Sequence, residues 1–144
     1  MSDPRRTVAV LETLAERGIT IAVDDFGTGH SSLAYLKKLP VGEIKIDKSF
    51  VLSMLTDRDD EAIVRTVIDL ARNLRLPVVA EGVEDPATLA SLRSMGCRSA
   101  QGFLFSRPLA PDDVVRWLAE QAPAPEEGTT ICLQPDAGRI SLGR

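Results

Sequence analysis

Asp24 and Asp25 stand side by side where the apolar run Ile19 to Val23 gives way to Phe26-Gly27-Thr28-Gly29. Two like charges at the end of a buried strand repel each other and lose hydration, so the pair needs either open water or a positive neighbour. Asp and Gly are also ordinary turn residues, and a solvated strand-to-helix turn is the competing account. Three further acidic positions occur in the same setting. Glu43-Ile44-Lys45-Ile46-Asp47 alternates polar and apolar residues and ends in Asp47, while Pro77-Val78-Val79-Ala80 runs into Glu81, Gly82, Val83 and Glu84. A fourth segment, Arg98 to Phe105, contains Gln101 and Gly102. Carboxylate oxygens gathered in this way suit a hard divalent cation. For Lys45 and Asp47 the alternative is a strand with one solvated face.

The elements that position these groups follow from periodicity. Ile63, Val67, Leu70, Ala71 and Leu74 recur at helical spacing and predict a helix over Asp60 to Leu74. Ser32 to Lys38, Pro86 to Met95 and Pro111 to Glu120 read as further helices. An opening helix starts at Asp3-Pro4, an N-cap followed by proline at the first helical position, and closes at Gly18. The order is a helix, then strand and helix repeated. Such repeats imply parallel strands joined by right-handed crossovers, in which the C-terminal strand ends carry the chemistry. Asp24, Asp25, Lys45, Asp47, Glu81, Glu84 and Gln101 all fall at or near those ends.

Four strings carry a resemblance to a known family. DDFGTGHSSL (Asp24 to Leu33), IKIDKSFV (Ile44 to Val51), VAEGVE (Val79 to Glu84) and QGFLFSRPL (Gln101 to Leu109) resemble, in order and spacing, the second half of EAL-type domains. That resemblance implies a (β/α)₈ barrel that cleaves cyclic di-GMP to linear pGpG with two Mg²⁺ or Mn²⁺ ions. It implies Asp24 as the carboxylate bridging both ions, Asp25 as a ligand of the second, and Lys45 as the residue holding the attacking water. Glu81 resembles the acid that serves the second ion or activates the water, and Asp47, Glu84 and Gln101 resemble supporting residues around site and substrate. Gly27, Thr28, Gly29, Ser31 and Ser32 correspond to the loop that links the metal site to substrate and to dimer contacts; a tight turn satisfies the same residues. His30, where relatives often carry Tyr, reads as a surface loop residue.

A (β/α)₈ barrel takes roughly 250 residues, and this chain has 144. The resemblance therefore implies a partial barrel: about four C-terminal β/α units over residues 1–121, then a disordered tail over 122–144. The Glu of the Glu-Ala-Leu signature, an Asn ligand and a further Glu ligand would precede Met1. The expectation is a truncated EAL domain, inactive alone. The alternatives are an active phosphodiesterase completed by an N-terminal half or a longer gene product, and a non-catalytic cyclic di-GMP-binding or interaction module. An inner face carrying Ile21, Val23, Ile44, Ile46, Val79 and Ala100 would drive self-association or capture of a complementary half.

Composition adds bounds. A formal net charge of −4 argues against general nucleic-acid binding, which rests on Lys and Arg meeting phosphates. No apolar stretch approaches the roughly 20 residues that span a bilayer, so the chain reads as cytoplasmic. Cys97 is expected to pack at a helix-to-strand junction and Cys132 lies in the tail; neither belongs to a ligand cluster. Trp117 repeats with Val114 and Leu118 at helical spacing and reads as core. Within the tail, Ile131-Cys132-Leu133 has the composition of a short strand.

Overall fold

The structure, a computed structural model, describes residues 4–28, 36, 38–121 and 139–141. In chain order the elements are α1 (Pro4–Glu16), β1 (Ile21–Phe26), β2 (Val41–Ile46), α2 (Lys48–Ser53), α3 (Arg58–Leu74), β3 (Val78–Ala80), α4 (Pro86–Ser94), β4 (Ser99–Gln101), α5 (Pro111–Gln121) and β5 (Arg139–Ser141). The sheet runs β1-β2-β3-β4-β5. Its first four strands are parallel and β5 adds antiparallel to β4. An α/β unit with sequential parallel strands is what part of a (β/α)₈ barrel presents.

Alternation along the strands sorts side chains onto two faces. Ile44 and Ile46 of β2, Val78 and Ala80 of β3 and Ala100 of β4 enter one buried core with Val51 and Met54 beside α2, Val64, Val67, Ile68 and Ala71 of α3, and Leu92 of α4. Glu43 and Lys45 occupy the alternate positions of β2, with Lys45 in register with Val79 and Val79 with Ser99. The expectation for the inner face is thus corrected. Ile44, Ile46, Ala100 and Val23 pack on the helix side, and the opposite face is largely polar with Val79 among its members. Self-association driven by an apolar inner face loses its basis.

Helix α3 is capped at both ends, which explains its length. Asp57 accepts from the backbone N–H of Asp59 at 2.8 Å, and Arg75, at φ +57, closes the last turn with N–H bonds to Ala71 and Arg72 carbonyls. Its buried stripe is Val64, Val67, Ile68 and Ala71, while Leu74 is 47 % exposed. The stripe is therefore rotated by about one residue from the expected one, with Ile63 and Leu70 only flanking it. Val114, Trp117 and Leu118 do share one face of α5 and are half-buried there. Helix α2 was not expected, and β1 begins two residues later than the apolar run and takes in Asp24 and Asp25. The segment Arg98 to Phe105 contributes only the three residues of β4 to the sheet. Most of the predicted helix 32–38, the strand at 131–133 and Cys132 lie outside the described residues. Within the tail expected to be disordered, Arg139–Ser141 forms the edge strand β5.

Candidate metal centre at the strand ends

Strict alternation would point Asp24 and Asp25 to opposite faces of β1. The β1–β2 register instead breaks between the Val23↔Ile44 and Phe26↔Ile46 pairs, and Asp25 sits there in the left-handed region at φ +51. An irregularity of this kind re-aims side chains. Asp24, Asp25 and Glu81 consequently offer oxygen atoms within 4.8 Å of one another.

Lys45 lies among them. Its Nζ donates to Asp24 Oδ1 at 2.8 Å and pairs with Glu81 Oε1. Gln101, at the end of β4, donates through Nε2 to the same Glu81 oxygen at 2.8 Å. Strands β1, β2 and β4, with the residue that follows β3, thus hold one hydrogen-bonded line, Asp24-Lys45-Glu81-Gln101. Burial works against the charged form of Lys45, but its hydrogen bonds to Asp24 and Glu81 outweigh it and raise the ammonium pKa. Lys45 is a donor here and not a base.

A second line runs through Asp25. The side-chain hydrogen bond with Asp47 comes first among the causes that raise the Asp25 pKa, followed by desolvation and the charges of Asp24 and Asp47; Lys45 pulls the other way. Asp47 moves down, because the Ser49 hydroxyl and backbone N–H both donate to it. Asp47 is also the N-cap of α2. Of that carboxyl pair, Asp25 is the one held above the usual carboxylate range and Asp47 the one held below it.

The donor set fits a hard cation. Three carboxylate groups face a single amine at the cluster, their oxygens are close enough to share an ion, and Asp24 is 62 % exposed and accessible. Glu84 is not part of it: it is exposed on the β3–α4 loop, with no ion pair or hydrogen bond to a described residue. Thr28 bends back onto Asp25, its hydroxyl donating to the Asp25 carbonyl at 3.0 Å. Gly29, His30, Ser31 and Ser32 lie outside the described residues. Reading the residues for chemistry passed over Ser49, whose signal was an N-cap Asp followed two positions later by a hydroxyl residue.

The loops after β3 and β4 lock together. Val83 N donates to the Gln101 carbonyl and Leu104 N to the Val83 carbonyl, both at 3.0 Å. This closure runs directly past Glu81 and Gln101. Beyond it Arg107 stacks over the exposed Phe103 ring, 4.6 Å from its centroid.

A parallel α/β sheet whose C-terminal strand ends bring carboxylates together around a lysine has the architecture of part of an α/β barrel, with an acidic cluster at the rim where such folds carry their chemistry. The family model of the EAL domain matches residues 1–108, and the chain belongs to the EAL domain family. Over 119 residues it is 45 % identical to the bifunctional diguanylate cyclase/cyclic di-GMP phosphodiesterase MucR of Pseudomonas aeruginosa, covering 83 % of this chain and 17 % of MucR. The solved MucR phosphodiesterase in complex with c-di-GMP superposes with a TM-score of 0.73 at 46 % identity, over 79 % of this chain and 46 % of that one. The Klebsiella pneumoniae BlrP1 manganese/cy-diGMP complex gives a TM-score of 0.64 at 41 % identity, over 69 % of this chain and 25 % of that one. The chain thus spans about a sixth of the length of MucR and under half of the solved MucR chain.

Proposed function

We propose that the chain carries the C-terminal share of a cyclic di-GMP phosphodiesterase site, in which Asp24, Asp25 and Glu81 hold Mg²⁺ or Mn²⁺ and Lys45 holds the attacking water. The observation that most supports this reading is the convergence of those carboxylates within 4.8 Å around the Lys45 ammonium. Relatives named for cyclic di-GMP hydrolysis, and a neighbour solved with manganese and that dinucleotide, supply the substrate class. When bound, a divalent cation lowers the pKa of a water and neutralises charge on the phosphate.

The protein groups do the rest. Lys45, kept protonated by Asp24 and Glu81, presents N–H donors to the water or to a non-bridging phosphate oxygen. Glu81, oriented by Gln101, is the proposed acceptor of the water's proton. The water oxygen joins phosphorus, the P–O ester bond to the ribose 3′ oxygen breaks, that oxygen leaves as a hydroxyl with a proton from solvent, and the product is linear pGpG. Gln101 orients Glu81, and Glu84, Gly27 and Thr28 are assigned to the substrate.

Because the chain covers only part of its relatives, hydrolysis is proposed for the completed site and not for these 144 residues alone. An N-terminal half, separate or in a longer polypeptide, would add along the edge of β1 that has no strand partner among the described residues. No helix among the described residues is long and apolar enough to cross a membrane, and the proposed setting is the cytoplasm.

The test mixes the chain with the N-terminal half of the MucR EAL domain and follows cyclic di-GMP to pGpG by chromatography with Mn²⁺. The chain alone should be silent. The mixture should turn over, and Asp24→Asn, Lys45→Met or Glu81→Gln should abolish it. Turnover by the chain alone that Asp24→Asn removes would reject the incompleteness. A stoichiometric, metal-loaded mixture without turnover would reject the enzyme in favour of a cyclic di-GMP-binding module.

A further inference from the structure

The two edges of the sheet are in different states. Beside β1 no further strand lies among the described residues, so that edge is open to an added one. The edge of β4 is taken. Strand β5 runs antiparallel along it, with Ser99 paired to Ser141, Ala100 to Ile140 and Gln101 to Arg139, and so covers all of β4.

A closed barrel has no edges, because its last strand pairs with a strand from the other end of the sheet. A second half that completes this sheet must therefore pair with both β1 and β4. At β4 its strand meets β5, and one row of β4 backbone groups cannot serve two strands at once.

Strand β5 is poorly placed to resist. Three residues put it at the short end of strand lengths, and as the last strand in the order it pairs on one side only. It also comes back to β4 from beyond α5, so its pairing bears the entropy of closing a long loop. A strand arriving within an ordered half escapes that cost and brings a second pairing at β1.

We propose that β5 is an intramolecular stand-in for the closing strand: it covers the β4 edge until a completing half displaces it, and so sets how readily the barrel closes. The inference rests on the reading that a second half completes the site, and adds a competitor carried by this chain itself. Gln101, the last residue that β5 pairs, holds Glu81 through its side chain, so the stand-in also keeps the end of β4 in place beside the carboxylate cluster. Affinity for the half falls by the fraction of chains whose edge is free, and a ten-to-one preference for the paired state lowers it by about 10-fold.

The experiment uses the full 144-residue chain and the labelled N-terminal half of the MucR EAL domain, with binding read by fluorescence anisotropy. In parallel, amide exchange of Ser99, Ala100 and Gln101 is followed on the chain alone. Successive N–H groups of a strand point to opposite sides, so Ile140→Pro together with Ser141→Pro removes whichever donor faces β4. That variant should bind the half about 10-fold more tightly and speed exchange at the β4 edge. The opposite change is a lock, Ser99→Cys with Ser141→Cys, placed across the β4–β5 pair in a chain that also carries Cys132→Ser. Oxidised, it should bind about 10-fold more weakly than wild type or worse, and reduction should restore binding. Wild-type affinity in both variants overturns the proposal, as does exchange at β4 that the proline pair leaves unchanged. If no form binds the half, the completion reading fails, and the exchange contrast with the formation of the disulfide still decides whether β5 holds the edge.

Discussion

Placing a methyl group on Gly102 should unfasten the closure between the β3 and β4 loops. An alanine Cβ there would lie 2.7 Å from the Val83 carbonyl carbon and nearer still to the Val83 nitrogen and oxygen. Ordinary carbon–carbon contact is about 3.5 to 4.0 Å, so the two segments must part by about an ångström. Val83 cannot yield freely, because it is fully buried and pinned by the Val83 N to Gln101 O and Leu104 N to Val83 O bonds, each 3.0 Å. Breaking them costs about 1 kcal/mol apiece. The backbone at φ +157 adds strain of about 1–3 kcal/mol for a residue other than glycine. With partial loss of Val83 burial, Gly102→Ala should destabilise the chain by about 4 kcal/mol, a large share of the 5–15 kcal/mol typical of a domain. Urea denaturation followed by circular dichroism measures it, with the thermal midpoint expected to fall by more than about 10 °C. The separation of Gln101 from Glu81 should also weaken Mn²⁺ binding. A variant within about 1 kcal/mol of wild type would show that the loop lock is not where this part of the fold keeps its stability.

Three further outcomes follow from the same structure. Ile68→Ala, in the α3 stripe, should cost about 2–5 kcal/mol, whereas Leu74→Ala should stay within about 0.5 kcal/mol; reversed values by urea titration would restore the stripe expected from periodicity. The Asp85 carboxyl is held below its usual range first by the Thr88 hydroxyl and then by backbone N–H donors, against some desolvation. Its stabilisation is full above the unfolded Asp value of about 3.9 and is lost as pH falls through the lower folded value, so the stability gap between wild type and Asp85→Ala should close in strong acid; a constant gap refutes it. Burial, first of all, raises the Cys97 thiol pKa, so mass mapping at mildly alkaline pH should find Cys97 alkylated by iodoacetamide only once urea is added.

Much of this was legible in the residues, and the failures have physical causes. The positions of β1 to β4 and the run of α3 follow from apolar periodicity with turn and cap residues between them. Asp24, Lys45, Glu81 and Gln101 converge because parallel strands in register bring their C-terminal ends to one rim, a matter of topology more than of local detail. Which face of β2 meets the helices was not legible. Alternation distinguishes two faces without saying which is covered, and the barrel prior assigned Ile44 and Ile46 to the wrong one. Helix α2 is six residues, too short for a period to show, and only its Asp47 cap betrays it. The break at Asp25 depends on how β1 meets β2 and Asp47, contacts invisible to a one-dimensional pattern. Glu84 shares the motif of Glu81 but lies further from the end of β3, past Gly82 at φ +71, whereas Glu81 directly follows the strand and meets Lys45 and Gln101.

The two-faced character of β2 has a bearing on how the chain avoids assembling wrongly. Lys45 meets Asp24 and Glu81 only when Ile44 lies opposite Val23 and Lys45 opposite Val79. A slip of one residue would turn Glu43 and Lys45 into the places Ile44 and Ile46 now hold in the core with Val64, Val67 and Ile68, and send Ile44 and Ile46 out among carboxylates. Charges stranded in an apolar core are penalised far more than a missed contact. The residues suited to chemistry thus act earlier in the life of the chain as a proofreading code, rejecting the neighbouring registers before any ligand arrives.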